Sequence, residues 1–240
     1  MKSYFIPLMK LSGILGFFGL TACSHQAALP PGPFGNNPRK ELAGRVHAKP
    51  ELAVLFVGNS YSFGVPRAFS KLAAEHGKAV RVGHSTNSGW SLKNHAANPG
   101  TLRKIRDGKW DIVVIQEHSL IPAMSARKRS EVMFPPLREL VTEMRAHGAV
   151  PVLYQTWGRR DGDEARRNDD FDAMTARLRA GYQAASKNAG NLVVVPVGDA
   201  WEREISAGRG SGLFMPDGSH PTQAGNDLTA SVFYETFFGK

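Results

Sequence analysis

The chain has 240 residues, 42% of them hydrophobic, which fills one good core but not two, so a single globular domain is expected. Its one cysteine excludes an internal disulfide framework. Lys and Arg number 30 against 21 Asp and Glu, a formal charge of +9 that suits anionic lipid headgroups or acidic glycans as partners, or simply a basic, soluble surface.

At the start, Lys2 and Lys10 precede the apolar run LSGILGFFGLTA, long enough for the hydrophobic region of a signal peptide and too short for a membrane span. Residues 1–22 therefore read as a signal peptide. Leu20 to Cys23, LTAC, resemble the lipobox of bacterial lipoproteins. That resemblance implies that Cys23 is lipidated and becomes the new N-terminus, and Ser24, in place of an aspartate, implies sorting to the outer membrane. An ordinary cleaved signal or a weak membrane anchor is the alternative. An exported chain without a recognisable nucleic-acid motif is not expected to bind nucleic acid. Residues 23–50 are rich in Pro, Gly and Asn and show no sustained apolar period, the pattern of a flexible tether, which leaves residues 51–240 as the folded unit.

Within that unit, short continuous apolar runs alternate with longer stretches of helical period. Strands are predicted at 52–58 (LAVLFVG), 79–85 (AVRVGHS), 111–116 (DIVVIQ), 149–155 (AVPVLYQ) and 192–198 (LVVVPVG). Their richness in Val, Ile and Leu, without clean alternation, marks strands covered on both faces. Helices are predicted over about 66–76, 98–107, 129–147, 168–189 and 221–238, with Gly77, Gly148 and Gly190 as left-handed closing residues. Strand, helix, strand repeated in this order implies the α/β class: a five-stranded parallel sheet with helices on both faces, a three-layer α/β/α sandwich. In such a sheet, functional residues gather in the loops beyond the carboxyl ends of the strands.

The loops contain a plausible set of reacting groups. Ser60, in GNSYSFG after the first strand, would expose its hydroxyl at the sheet edge beside backbone N–H groups; the alternative is a serine in an Asn-Ser turn. In DGSHPT, Asp217 and His220 stand three apart across a tight turn before the last helix, which is also an ordinary cap sequence. A serine hydroxyl needs a base, commonly a histidine whose second nitrogen is held by a carboxylate, and this pair would supply both. The other histidines lack H-x-x-x-H or H-E-x-x-H spacing, so no catalytic metal is expected.

The stretches FVGNS, NSGWSL, DIVVIQ and DGSHPTQAGNDLTASVFYETFFG, each at a predicted strand end or helix start, jointly resemble the SGNH hydrolase superfamily, also called GDSL-type esterases. The resemblance covers nearly all of residues 51–240 and implies a flavodoxin-like fold. It implies Ser60 as nucleophile, His220 as general base and Asp217 as the group that orients it, with the backbone N–H groups of Ser60 and Gly89 in the oxyanion hole. The superfamily's usual Gly-x-Asn-Asp signature is replaced here by VVIQEHS. Gln116 is proposed as the third oxyanion donor, the alternative being a strand-end residue bonded to a neighbouring loop. Trp90, His118, Trp157 and Arg159 are candidates for the substrate pocket, the last two in a loop, WGRRDGDEARRNDD, that otherwise reads as solvated.

These features imply a cofactor-free esterase acting on small acyl esters through an acyl-enzyme, with acetylated envelope carbohydrate as the expected substrate and no obligate protein partner. Two rival readings remain at this point, a catalytically degenerate glycan-binding lipoprotein and an O-acyltransferase. A Gln116 turned away from Ser60 would favour the first.

Overall fold

The computed structural model describes Met1 and residues 37–239; the proposed lipobox and Cys23 lie outside the described residues. Helix α1 (Pro38–His47) comes first, followed by β1 (Glu51–Gly58), α2 (Val65–Glu75), β2 (Ala79–Thr86), α3 (Leu92–Ala96), α4 (Pro99–Asp107) and β3 (Ile112–Ile115). The chain continues through α5 (Ala126–Val132), α6 (Phe134–Ala146), β4 (Val150–Tyr154), α7 (Phe171–Asn188), β5 (Val193–Val195), α8 (Val197–Ser206) and α9 (Gln223–Phe238).

The strands form one parallel sheet in the order β2-β1-β3-β4-β5. Successive residues of β1 point to opposite faces and both faces are covered. Leu52, Val54 and Phe56 pack toward α1, α2, α8 and α9, whereas Leu55 and Val57 pack toward α3, α4, α6 and α7. Burial on both sides explains why these strands read as continuous apolar runs. In this strand order the chain leaves β1 for β2 on one side and returns to β3 on the other. The loops diverge there and open a crevice at the carboxyl ends of β1 and β3.

Several boundaries differ from the sequence reading. The tether expected over 23–50 does not extend that far, because residues 38–47 form α1 and the folded unit begins with it. Asn37 caps that helix by accepting from Lys40 N at 3.0 Å, and Pro38 occupies its first turn. Only Leu42 and Val46 give it an apolar stripe, too little to register as a period, yet both are buried in the core. The fully buried Asp111 fastens the segment that follows: its carboxylate takes Lys49 Nζ at 2.7 Å and Ala53 N at 2.9 Å. The helix expected over 129–147 is two helices that meet at Met133, where prolines 135 and 136 lack the N–H groups needed to continue a turn. Pro196 ends β5 early, and residues 197–206 become α8 instead of the end of a strand.

If α1 is an integral part of the fold, Leu42→Ala should lower unfolding free energy by about 2 to 5 kcal/mol, the range for a truncated core leucine. Urea denaturation of the variant measures this; an unchanged midpoint would return the segment to the tether.

Candidate active site

β1 delivers the chain to the crevice with no space to spare. At its last residue, Gly58, a Cβ would fall 2.4 Å from Gln116 Oε1, so a side chain there would displace the turn that follows. Asn59 then leaves the strand in extended conformation, and its Oδ1 accepts from Tyr61 N at 3.1 Å, closing a short 3-10 turn over Ser60–Ser62. Ser60 lies half-buried at the start of that turn.

His220 arrives from the other end of the chain. Asp217 closes the turn by accepting the N–H groups of Ser219 and His220 on Oδ1, both at 2.9 Å, with Gly218 in the left-handed region at φ 64°. Its second oxygen takes the ring Nδ1–H of His220 at 2.6 Å, and Ser60 Oγ lies 2.9 Å from His220 Nε2. That pattern assigns the proton to Nδ1 and leaves Nε2 to accept from the serine. Burial disfavours the charge on Asp217, but the two amides and the ring outweigh it and hold the carboxyl at about 2. Near neutral pH it is therefore an anion locked against the imidazole. The turn lies ahead of the last helix: α9 begins at Gln223, with Thr222 as its cap, and Pro221 instead bridges to Phe214.

A stack of rings backs the histidine. Trp157 lies parallel to Trp201 at 3.8 Å and to Tyr61 at 4.9 Å, and the Tyr61 ring meets His220 edge-on at 5.4 Å. Trp157 Nε1 also donates to Ser219 O at 3.1 Å. Trp157 is fully buried, so it is a supporting wall of the His220 turn and not a substrate-contacting lid. Nothing in the spacing of residues 61, 157 and 201 announces the stack.

Gly89 occupies the third position of the turn Asn87–Trp90, with φ 70°, as a type II turn requires. Asn59 Nδ2 donates to Trp90 O at 3.0 Å, joining the Ser60 turn to the Gly89 turn. Among the described residues, the N–H groups of Ser60 and Gly89 donate to no protein acceptor, so both remain available to an oxyanion. Trp90 itself is half-buried, edge-on to His95 at 5.1 Å.

Gln116 does not join them. Its side chain is fully buried, with Oε1 accepting from Asn59 N at 2.8 Å and Ser62 Oγ at 3.0 Å, and Nε2 donating to the carbonyl of Glu117. The proposed third oxyanion donor is thus the loop-bonded alternative, because its amide is spent on holding the Ser60 turn.

Glu117, the residue after Gln116, has a related part. Its Oε1 accepts from Leu92 N at 3.0 Å and His118 N at 2.6 Å, tying the segment after Gly89 to the end of β3. Its Oε2 is buried without a partner, and burial pushes the carboxyl up to about 7 despite those amides. His118 is half-buried, its Nδ1 accepts from Leu120 N at 3.4 Å, and burial followed by the charge of Arg159 lowers its pKa. Phe63 and Met215, the large apolar side chains exposed among residues 37–239, flank the turns that carry Ser60 and His220. No cluster of His, Cys, Asp and Glu suited to a metal occurs among the described residues.

No family model matches the sequence, and no curated protein matches it. Solved structures do. A candidate SGNH hydrolase from Slackia heliotrinireducens is 28% identical with a TM-score of 0.62, over 78% of this chain and 98% of that one. A protein of the DUF4886 family from Bacteroides uniformis superposes with a TM-score of 0.70 at 19% identity, over 79% of this chain and 84% of that one. An acetylxylan esterase from Geobacillus stearothermophilus gives 0.58 at 17% identity, over 79% and 95%. The fold is that of the SGNH, or GDSL-type, hydrolases.

The ionisation of Glu117 can be tested apart from catalysis. In an unfolded chain this carboxyl ionises near 4.5, and in the fold near 7, so its contribution to stability is full below 4.5 and is lost as pH rises through 7. Glu117→Gln keeps the acceptor and cannot ionise. Its Tm relative to wild type should therefore climb across that window and level off above it; a difference independent of pH would show that the buried carboxyl does not titrate there.

Proposed function

We propose that this chain, an SGNH-fold protein, is a serine ester hydrolase that works through an acyl-enzyme on Ser60. The observation that carries the reading is the unbroken line of bonds from Ser60 Oγ to His220 Nε2 and from His220 Nδ1 to Asp217. A binding protein has no need of that alignment. Ser60 Oγ attacks the ester carbonyl while His220 Nε2 takes its proton, and the Asp217 carboxylate stabilises the imidazolium that forms. The tetrahedral oxyanion accepts from the N–H groups of Ser60 and Gly89. On collapse, His220 protonates the leaving alcohol, and the same imidazole then deprotonates the water that releases the acid and restores Ser60.

The engagement of Gln116 favours the rival reading, a glycan-binding lipoprotein without activity. Its loss as a donor removes one oxyanion contact, of a kind usually contributing about 2.7 to 4 kcal/mol, and leaves two. The alignment of the triad outweighs it. Small acyl esters, with O-acetyl groups of envelope carbohydrate as the natural case, remain the proposed substrates, and the lipobox resemblance supports anchorage at Cys23 in the outer membrane. Residues 24–37 then separate the anchor from α1.

Hydrolysis of p-nitrophenyl acetate, butyrate and octanoate by the full-length protein tests the reading. Activity should fall with chain length and vanish in Ser60→Ala, and Asp217→Asn should lower kcat by about 10⁴, as when the imidazole is left in the wrong tautomer. Turnover that survives Ser60→Ala overturns the assignment, and none from folded wild type makes the chain a binding protein. Cys23→Ala should move the protein from the membrane to the soluble fraction.

A further inference from the structure

The segment after β4 runs along the catalytic turn and is bonded to it on both sides of Arg159. Trp157 Nε1 donates to Ser219 O at 3.1 Å, and Arg160 N donates to Gly218 O at 2.7 Å. Between these anchors Arg159 is half-buried, its Nε enclosed without a partner, and its charge acts on the Tyr61 hydroxyl, partly offsetting the rise in pKa that burial causes there. That hydroxyl lies 2.5 Å from Ser219 Oγ, and the ring carrying it is the one that meets His220 edge-on. A positive charge therefore stands one tyrosine ring away from the general base.

The neighbouring arginines are different. Arg160 pairs with Asp161, Arg166 with Asp163, Arg177 with Asp169, and Arg179 with Asp199 and Glu202, while Arg167 is exposed to solvent. Arg159 has no carboxylate partner among the described residues. Asp217 is committed to His220 and its own turn, and Glu117 binds the amides of Leu92 and His118 through Oε1 and pairs with no arginine among the described residues. His118 adds no positive charge of its own, since burial and the guanidinium both keep it neutral, while Leu120 N on Nδ1 places its proton on Nε2. A half-buried guanidinium without a counter-ion is unfavourable for folding alone, and a ligand carboxylate would supply what is missing.

We propose that Arg159, with the Tyr61 hydroxyl and His118 beside it, forms an anion subsite next to Ser60 that selects esters bearing a carboxylate. The inference rests on the hydrolase reading for the word ester, but the subsite itself does not. The carboxylate belongs either to the acyl group, as in a hemisuccinate, or to the alcohol, as in an acetylated uronic acid. Guanidinium recognises both in the same way.

Two matched pairs separate these sources: p-nitrophenyl hemisuccinate against p-nitrophenyl pentanoate, and O-acetylated methyl glucuronide against O-acetylated methyl glucoside. In one pair kcat/KM should favour the anion by about tenfold or more, as one charge-assisted contact provides. Arg159→Gln should bring that ratio close to one, and Arg159→Lys should keep part of it, each variant first checked for a wild-type circular dichroism spectrum and Tm. Turnover with a ratio near one in both pairs, or a preference that survives Arg159→Gln, overturns the subsite and leaves the hydrolase standing. Where no ester turns over, calorimetric titration with methyl glucuronide, methyl glucoside and monomethyl succinate decides. Binding of an anion that Arg159→Gln abolishes upholds the subsite and rejects the hydrolase, and no anion binding rejects both.

Discussion

The site depends on the buried pair at the end of β3. Gln116 grips the nucleophile turn through Asn59 N and Ser62 Oγ, and Glu117 grips the start of α3 through Leu92 N. Two loops that leave the sheet from different strands are thereby held to one strand end. Both side chains have essentially no exposure, so these bonds compete with little water and their loss would strand polar groups in the interior. The two oxyanion amides owe their mutual placement to this arrangement and to the single bond from Asn59 Nδ2 to Trp90 O. In this chain the loop after the third strand contributes position, and the proposed chemistry falls to the first two loops and the last turn.

On the opposite wall, the catalytic turn is made rigid by two independent means. Asp217 folds the turn on itself by accepting two of its amides, which also gives the carboxylate the low pKa that keeps it charged beside the imidazole. The Tyr61, Trp157 and Trp201 stack then fixes the turn against the body of the sheet, with stacked and edge-on rings adding about 0.5 to 1.5 kcal/mol per pair beyond their buried area. Tyr61 belongs to both walls, since it follows Ser60 and its ring meets His220.

The resemblance to solved structures extends over 78 to 79% of the chain, while identity stays between 17% and 28% for the structures compared above. Such divergence is compatible with one fold because the sheet asks only for apolar residues on both faces and for small residues at a few strand ends. It also leaves room for differences at the site, of which the substitution of a buried Gln-Glu pair for an asparagine-bearing loop is the clearest. The unpaired Arg159 belongs to the same category: a local feature on a shared frame.

Much of this was readable in the linear chain because it depends on near neighbours. The strands announce themselves by apolar runs, the helix ends by Gly77, Gly148 and Gly190 with positive φ, and the Asp217–His220 turn by a spacing that lets an acid and an imidazole meet without help from the rest of the fold. Ser60 was marked by its place directly after an apolar strand. What the chain could not reveal depends on partners far apart in sequence. Whether Gln116 faces the oxyanion or Asn59, 57 residues away, is a choice between two hydrogen bonds of similar strength, decided by which acceptor and donor the packed loops leave open. Trp157 reads as solvated or substrate-facing until the sheet brings Tyr61 and Trp201 to either side of it, and α1 reads as tether because two apolar residues suffice once a core is there to receive them. Local geometry and burial pattern were thus properties of the sequence itself, whereas the roles of polar groups at the site were decided only by tertiary structure, since a hydrogen bond is assigned by who stands opposite.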